Sequence, residues 1–202
     1  MKVMTLLGSP RKRGNTATAL GWFEEAMKVQ GNKIDRVNIV DFEVKGCLGC
    51  RKCEGITDKP GCVQKDDVMG IFERMISTDA VVYASPLYCW GFSSQMKALI
   101  DRHFCLVKGY ANPDYKSFAE GKLTALLVTC AGPVENNADI IQVLFDRLND
   151  YGKTKVAGKY VVPFCTKPDE MDHDAKKIVE EMCRHILSAY KQRNTAIHEK
   201  NR

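Results

Sequence analysis

Four cysteines crowd one stretch of this chain. Cys47, Cys50 and Cys53 are each separated by two residues, and Cys62 follows after a Gly-containing insert. Thiolates at this density can ligate one soft metal centre or one iron–sulfur cluster. Structural zinc and metal-free thiols are the other readings of the same residues. A second stretch, Gly8-Ser9-Pro10-Arg11 running to Gly14-Asn15-Thr16, offers different chemistry. An apolar run, a Gly-Ser loop and then a helix N-terminus make an anion site from backbone N–H groups. Ser9, Asn15 and Thr16 add hydroxyl and amide donors, and Arg11 or Arg13 adds charge. Gly14 is followed by Asn15-Thr16 rather than by a lysine, so a triphosphate-cradling loop is unlike this one. The dinucleotide pattern Gly-x-Gly-x-x-Gly is also absent. A monophosphate such as that of flavin mononucleotide (FMN) remains. A third stretch, Ser85 to Gly91, places Tyr88 and Trp90 in a loop after an apolar run, where a hydrophobic core explains two aromatics poorly.

These residues need elements to hold them. Lys2–Leu7 reads as a buried strand and is followed by a helix with Ala19, Leu20, Phe23 and Met27 on one face. Residues 33–40 read as a second strand, and the cysteine segment as irregular. Asp66-Asp67 opens a helix striped by Val68, Ile71, Phe72, Met75 and Ile76, and these two carboxylates read as capping groups. Residues 80–84 form a third strand, with Ser93 or Ser94 capping a helix that runs to Val107. A polar loop covers 109–119. Residues 123–130 and 156–162 are the fourth and fifth strands, with a helix through Ile141, Leu144, Phe145 and Leu148 between them. The last helix starts near Pro168 or Asp169. Strands alternating with helices predict an α/β fold with a parallel sheet covered on both faces. Ligands then bind beyond the carboxyl ends of the strands, where the loops after the first, third and fourth strands lie.

The 202 residues, 45% hydrophobic and 27% charged, suit one domain over 1–193, with a cysteine-rich insert at 47–65 and a polar, frayed tail at 194–202. A net charge of +5 without a basic, aromatic-interleaved stripe argues against nucleic acid. No apolar run approaches the roughly 20 residues that span a bilayer. A cytoplasmic location is therefore expected, where nine cysteines are reduced rather than paired. Cys105, Cys130, Cys165 and Cys183 read as buried apolar thiols, Cys89 as a small residue beside the third-strand loop, and His103 as a packed or solvated histidine. His173, His185 and His198 show no metal spacing.

Gly8-Ser-Pro-Arg with Gly14-Asn-Thr, then Ser85-Pro-Leu-Tyr-Cys-Trp-Gly with Gln95-Met-Lys-Ala-Leu-Ile-Asp-Arg, resembles the NADPH-dependent FMN reductase family of flavodoxin-like proteins. The cysteine segment ending in Cys62-Val-Gln-Lys-Asp-Asp resembles its iron–sulfur flavoprotein branch. The resemblance implies a three-layer sandwich with strand order 2-1-3-4-5 and FMN at the carboxyl edge. Ser9, Arg11, Gly14, Asn15 and Thr16 would hold the phosphate. Pro86, Leu87, Tyr88, Cys89, Trp90 and Gly91 would line the ring, and Thr129, Cys130, Ala131 and Gly132 would form a third wall. No side chain need act as acid, base or nucleophile, since the flavin carries the chemistry with NAD(P)H as co-substrate. Cys47, Cys50, Cys53 and Cys62 would hold a [4Fe–4S] cluster, although Cys62 stands three residues later than the branch's spacing. A homodimer or homotetramer and an electron donor such as ferredoxin are implied too.

Overall fold

A computed structural model describes residues 1–110 and 112–200, with side chains described through residue 196. Five helices are α1 (Asn15–Val29), α2 (Val68–Ile76), α3 (Ser94–Asp101), α4 (Asp139–Gly152) and α5 (His173–Lys200). The strands are β1 (Lys2–Leu7), β2 (Lys33–Asn38), β3 (Ala80–Pro86), β4 (Val107–Lys108), β5 (Lys116–Ser117), β6 (Leu123–Thr129) and β7 (Lys155–Val162). Five of them form one sheet in the order β2-β1-β3-β6-β7, every pair parallel. This is the flavodoxin-like order expected, with β4 and β5 added as a separate antiparallel hairpin.

The central strands β3 and β6 are buried along their whole length. Covering both faces requires such continuous apolar runs. On one face Val3, Leu7, Val82 and Leu127 pack under α1 and α5, against Phe23, Met27, Val179 and Met182. On the other, Met4, Leu6, Val81 and Leu126 meet Ile71, Phe72, Leu99 and Phe145 from α2, α3 and α4. Burying each large side chain contributes roughly 1.5–3 kcal/mol, so the two half-cores hold the sheet rigid beneath its loops.

Several boundaries differ from expectation. β2 stops at Asn38, and Ile39–Asp41 curls into a 3-10 turn. α3 ends at Asp101, after which Arg102–Leu106 tightens into a 3-10 segment and feeds β4. The expected helix to Val107 is interrupted where Arg102 turns inward to meet Asp66. Pro168–Glu170 forms its own turn, so α5 begins at His173, and it extends to Lys200.

Candidate functional site

At the carboxyl edge, Gly8 is the first point of convergence. Its N–H donates to the Ala84 carbonyl at 2.8 Å, and the Ser93 hydroxyl donates to the Gly8 carbonyl at 2.6 Å. A Cβ on Gly8 would stand 2.7 Å from the Met96 Cβ, so only glycine lets α3 approach this closely. Ser93 is also the N-cap of α3, accepting from the Met96 N–H at 3.2 Å, as its sequence position predicts.

The phosphate-type loop is folded on itself. Ser9 Oγ accepts from the Arg11 N–H at 3.1 Å, and the Gly14 N–H donates to the Arg11 carbonyl at 3.2 Å. Gly14 is the N-cap of α1, so Asn15 and Thr16 are the first residues of the helix and do not cap it. Their side chains are released for other work. Thr16 Oγ1 and Thr129 Oγ1 share a buried hydrogen bond of 2.6 Å, fastening the first loop to the end of β6. Asn15 is 8% exposed, and its side-chain oxygen is buried without a partner. The first N–H to bond back is that of Thr18, to the Gly14 carbonyl at 3.0 Å. The N–H groups of Asn15, Thr16 and Ala17 precede it and have no partner within the helix. An orphaned amide, first-turn N–H groups without helical partners and exposed Arg11 fit a phosphate: flipping the Asn15 amide turns a stranded acceptor into a donor.

The second loop is a two-residue hairpin. Tyr88 and Gly91 exchange N–H···O bonds of 3.2 and 3.0 Å, with Cys89 and Trp90 at the tip at φ 45° and 61°. A tight turn with two left-handed residues is normally built from Asn and Gly. Holding a cysteine and a tryptophan there stores strain, a feature that gathers at functional sites. Tyr88 is 41% and Trp90 58% exposed, so neither is a core residue. Pro86 is buried and Leu87 half-buried, and the Leu87 N–H donates to the Thr129 carbonyl at 2.9 Å. Cys130 lies buried on the third wall, its thiol pushed up by burial and therefore protonated at neutral pH. Ala131 is exposed and Gly132 half-buried beside it. The segment after β7 joins this wall, with the Cys165 N–H donating to the Cys130 carbonyl at 2.9 Å. Its exposed Phe164 (φ 56°) was not legible as a neighbour of the edge.

The cysteine segment is a separate construction. Its two stems are clasped by the carboxylates expected to cap α2. Asp67 Oδ2 accepts from the Glu43 N–H at 2.7 Å, and Asp66 Oδ2 accepts from the Lys45 N–H at 3.1 Å. Asp67 sits at the N-cap without a side-chain cap bond, whereas Asp66 Oδ1 accepts from the Val68 N–H, the first of α2, at 3.3 Å. Asp66 is also locked to Arg102 in an ion pair whose side chains are 0% and 1% exposed. Burial alone would raise the Asp66 pKa; the Arg102 hydrogen bond and the N–H donors outweigh it and hold it low.

Cys47, Cys50, Cys53 and Cys62 line one cavity of about 370 Å³, with Arg102, Phe104 and Cys105 on its inner side. Cys47 and Cys50 are exposed, and Cys53 and Cys62 half-buried. The insert between the last two loops out: a Cβ on Gly61 would lie 2.6 Å from the Ile56 side chain, so the neck closes tightly and returns Cys62 to Cys53. The longer spacing therefore does not remove Cys62 from the group. Cys105, read from sequence as a core thiol, forms part of the wall, and burial pushes it up to about 12. Among the described residues no three His, Cys, Asp or Glu side chains close on a single metal ion, so this arrangement gives a zinc-type site no support. The donor set is thiols only, around a space rather than a point.

His103 is a core histidine, as read. It stacks on Phe72 with ring centroids 5.2 Å apart, and burial pushes it down to about 4, so it is neutral. His185 bonds Tyr160 at 2.8 Å, and the His198 side chain lies outside the described residues.

The model of the NADPH-dependent FMN reductase family matches residues 1–141. An iron–sulfur flavoprotein of Archaeoglobus fulgidus is 33% identical over 178 residues, covering 88% of this chain and 75% of that one. One of Methanosarcina thermophila is 32% identical over 153 residues, 75% of each chain. Among solved structures, an NAD(P)H:quinone oxidoreductase from Methanothermobacter marburgensis superposes with a TM-score of 0.70 at 17% identity, covering 91% of this chain and 96% of that one. The chain belongs to the NADPH-dependent FMN reductase family.

Proposed function

We propose that this member of the family binds FMN at the carboxyl edge of its sheet and acts as an NAD(P)H-dependent oxidoreductase of quinone- or flavin-type acceptors. The observation that carries the reading is the tying of three loops into one edge, by the Thr16–Thr129 bond and by the Leu87 N–H to the Thr129 carbonyl, beside the orphaned Asn15 amide. Ser9, Arg11, Gly14, Asn15 and Thr16 would hold the phosphate. The hairpin Tyr88–Gly91, with Pro86 and Leu87 behind it, would present the aromatic wall, and Thr129, Cys130, Ala131 and Gly132 the opposite one. When bound, FMN supplies hydride and single-electron transfer. The chain's own task is to bind, orient and shield. Buried Thr16, Thr129 and Ser93 fix the loops without a titrating group, and protonated Cys130 adds none.

A second reading is favoured by the cavity of four cysteines: an electron carrier that takes electrons from a donor such as ferredoxin through a [4Fe–4S] cluster. A cluster binds each thiolate through a different iron, so it asks for four thiols around a space. Assembly as a homodimer or homotetramer would bring one subunit's cavity to another's flavin edge.

The test is an absorption spectrum of protein purified without air, with flavin and iron counted per chain. One FMN with turnover by NADPH supports the first reading. About four irons per FMN, with a broad absorption that bleaches on reduction, supports the second. Protein that neither carries nor takes up FMN would overturn both.

A further inference from the structure

Behind the cysteine cavity lie two buried cations, and they are not equivalent. Arg102 faces the cavity, but its charge is matched by Asp66, and its guanidinium also donates to the Lys45 carbonyl at 2.9 Å. Together Arg102 and Asp66 bring almost no net charge. Lys108, at the end of β4, is 6% exposed. Among the described residues its ammonium makes one hydrogen bond, to the Cys53 carbonyl at 2.9 Å, with the Phe118 ring centroid 5.9 Å away. No carboxylate among the described residues pairs with it. A buried ammonium with one neutral acceptor and one ring face is poorly compensated, and such charges persist only when something pairs with them. Cys53, whose carbonyl it holds, lines the cavity together with Cys105. Arg102 adds a second sign of an anion: its side chain lines the cavity, and its Nε is buried and unpartnered.

We propose that Lys108 is the counter-charge of the cysteine cavity, a positioning residue that holds and tunes an anionic thiolate-bound group there. This rests on the iron–sulfur reading and assigns the cavity a residue outside its thiol ligands. A thiolate-ligated iron–sulfur cluster is negative and gains one more negative charge on reduction. A fixed cation behind Cys53 therefore stabilises the reduced form more than the oxidised form and raises the potential. Arg102 contributes less, because Asp66 cancels most of its field.

The experiment uses the full chain, purified anaerobically and reconstituted with iron and sulfide. Iron per chain and the midpoint potential are measured for wild type, Lys108→Met, Lys108→Gln and Lys108→Arg. The expected result is a lower potential in both neutral variants, by a tenfold change in the one-electron equilibrium, about 59 mV, with Lys108→Arg near wild type. Loss of iron in the two neutral variants, with iron kept in Lys108→Arg, would equally support the role. Full iron with unmoved potentials would overturn it and leave the cluster reading standing. Loss of iron in all three variants would assign Lys108 to shape rather than charge and overturn it too. A wild type that takes up no iron would remove the cluster reading and this inference together, while leaving the flavin edge untouched.

Discussion

The flavin-type edge and the cysteine cavity are built by opposite means. The edge is made by the fold: three strand ends arrive side by side because the sheet is parallel, and short hydroxyl and backbone bonds finish the join. The cavity is made by a clasp. An irregular segment of about twenty residues is held at its neck by Asp66, Asp67 and Arg102, and at its far end by Ile56 over Gly61. A site that inherits its geometry from the core shares the core's stability, whereas a clasped one depends on a few long-range contacts.

The largest break in this comparison should come from Arg102→Met. It strands Asp66 in the interior, and breaking a buried pair in this way costs about 3–5 kcal/mol. The expected outcome in urea denaturation is that loss, with protease cuts appearing first between residues 45 and 66.

Acid should act on the same side of the molecule. His103 is buried, neutral and pushed down to about 4, with Nδ1 unpartnered. The unfolded chain binds its proton first, so stability falls as pH drops from about 6.5 towards about 4, by roughly 3 kcal/mol. Asp66 adds to this lower down: held below the usual 3.8, it stabilises the fold above that value and loses its effect as pH falls through the lowered one. A His103→Gln variant should flatten the upper part of the curve of denaturation midpoint against pH.

The edge should respond to bulk rather than to pH. Gly8→Ala forces a Cβ against Met96, with an expected cost of about 1–3 kcal/mol. Thermal unfolding measures that loss, and FMN affinity should fall with it. Asn15→Ala removes one phosphate donor and should weaken FMN by about tenfold, near 1.4 kcal/mol, in a fluorescence titration at unchanged stability. The smallest effect belongs to the insert. Shortening residues 57–60 while keeping Ile56 and Gly61 should change stability by under about 0.6 kcal/mol, and iron content should stay as in the wild type. A large loss there would mean the loop itself shapes the cavity.

Most of the edge was legible because it rests on patterns. Apolar runs gave the strands, and Ser93 announced its own cap. The parts that were hidden depend on distance along the chain. Nothing local marks Asp66 as the partner of Arg102, or Lys108 as the neighbour of Cys53, since each pairing exists only after α3 docks. Cys105 is the buried thiol expected, packed in the core; that it also borders the cavity was hidden for the same reason, since a buried thiol in a core and one in a cavity wall look alike until the space beside them is seen. The one signal available was the break in α3, where Asp101-Arg102 ends a helical stripe early.

The hairpin at Cys89 and Trp90 also bears on how the protein could be altered. Two side-chained residues in left-handed conformation cost of order 1–3 kcal/mol each. Asn-Gly at the same tip would relieve that, so a selection for heat resistance would be drawn to these two positions. It would remove the exposed aromatic in the process. Durability and function are thus set against each other in one pair of adjacent codons, and thermostable variants of this chain should be sought elsewhere.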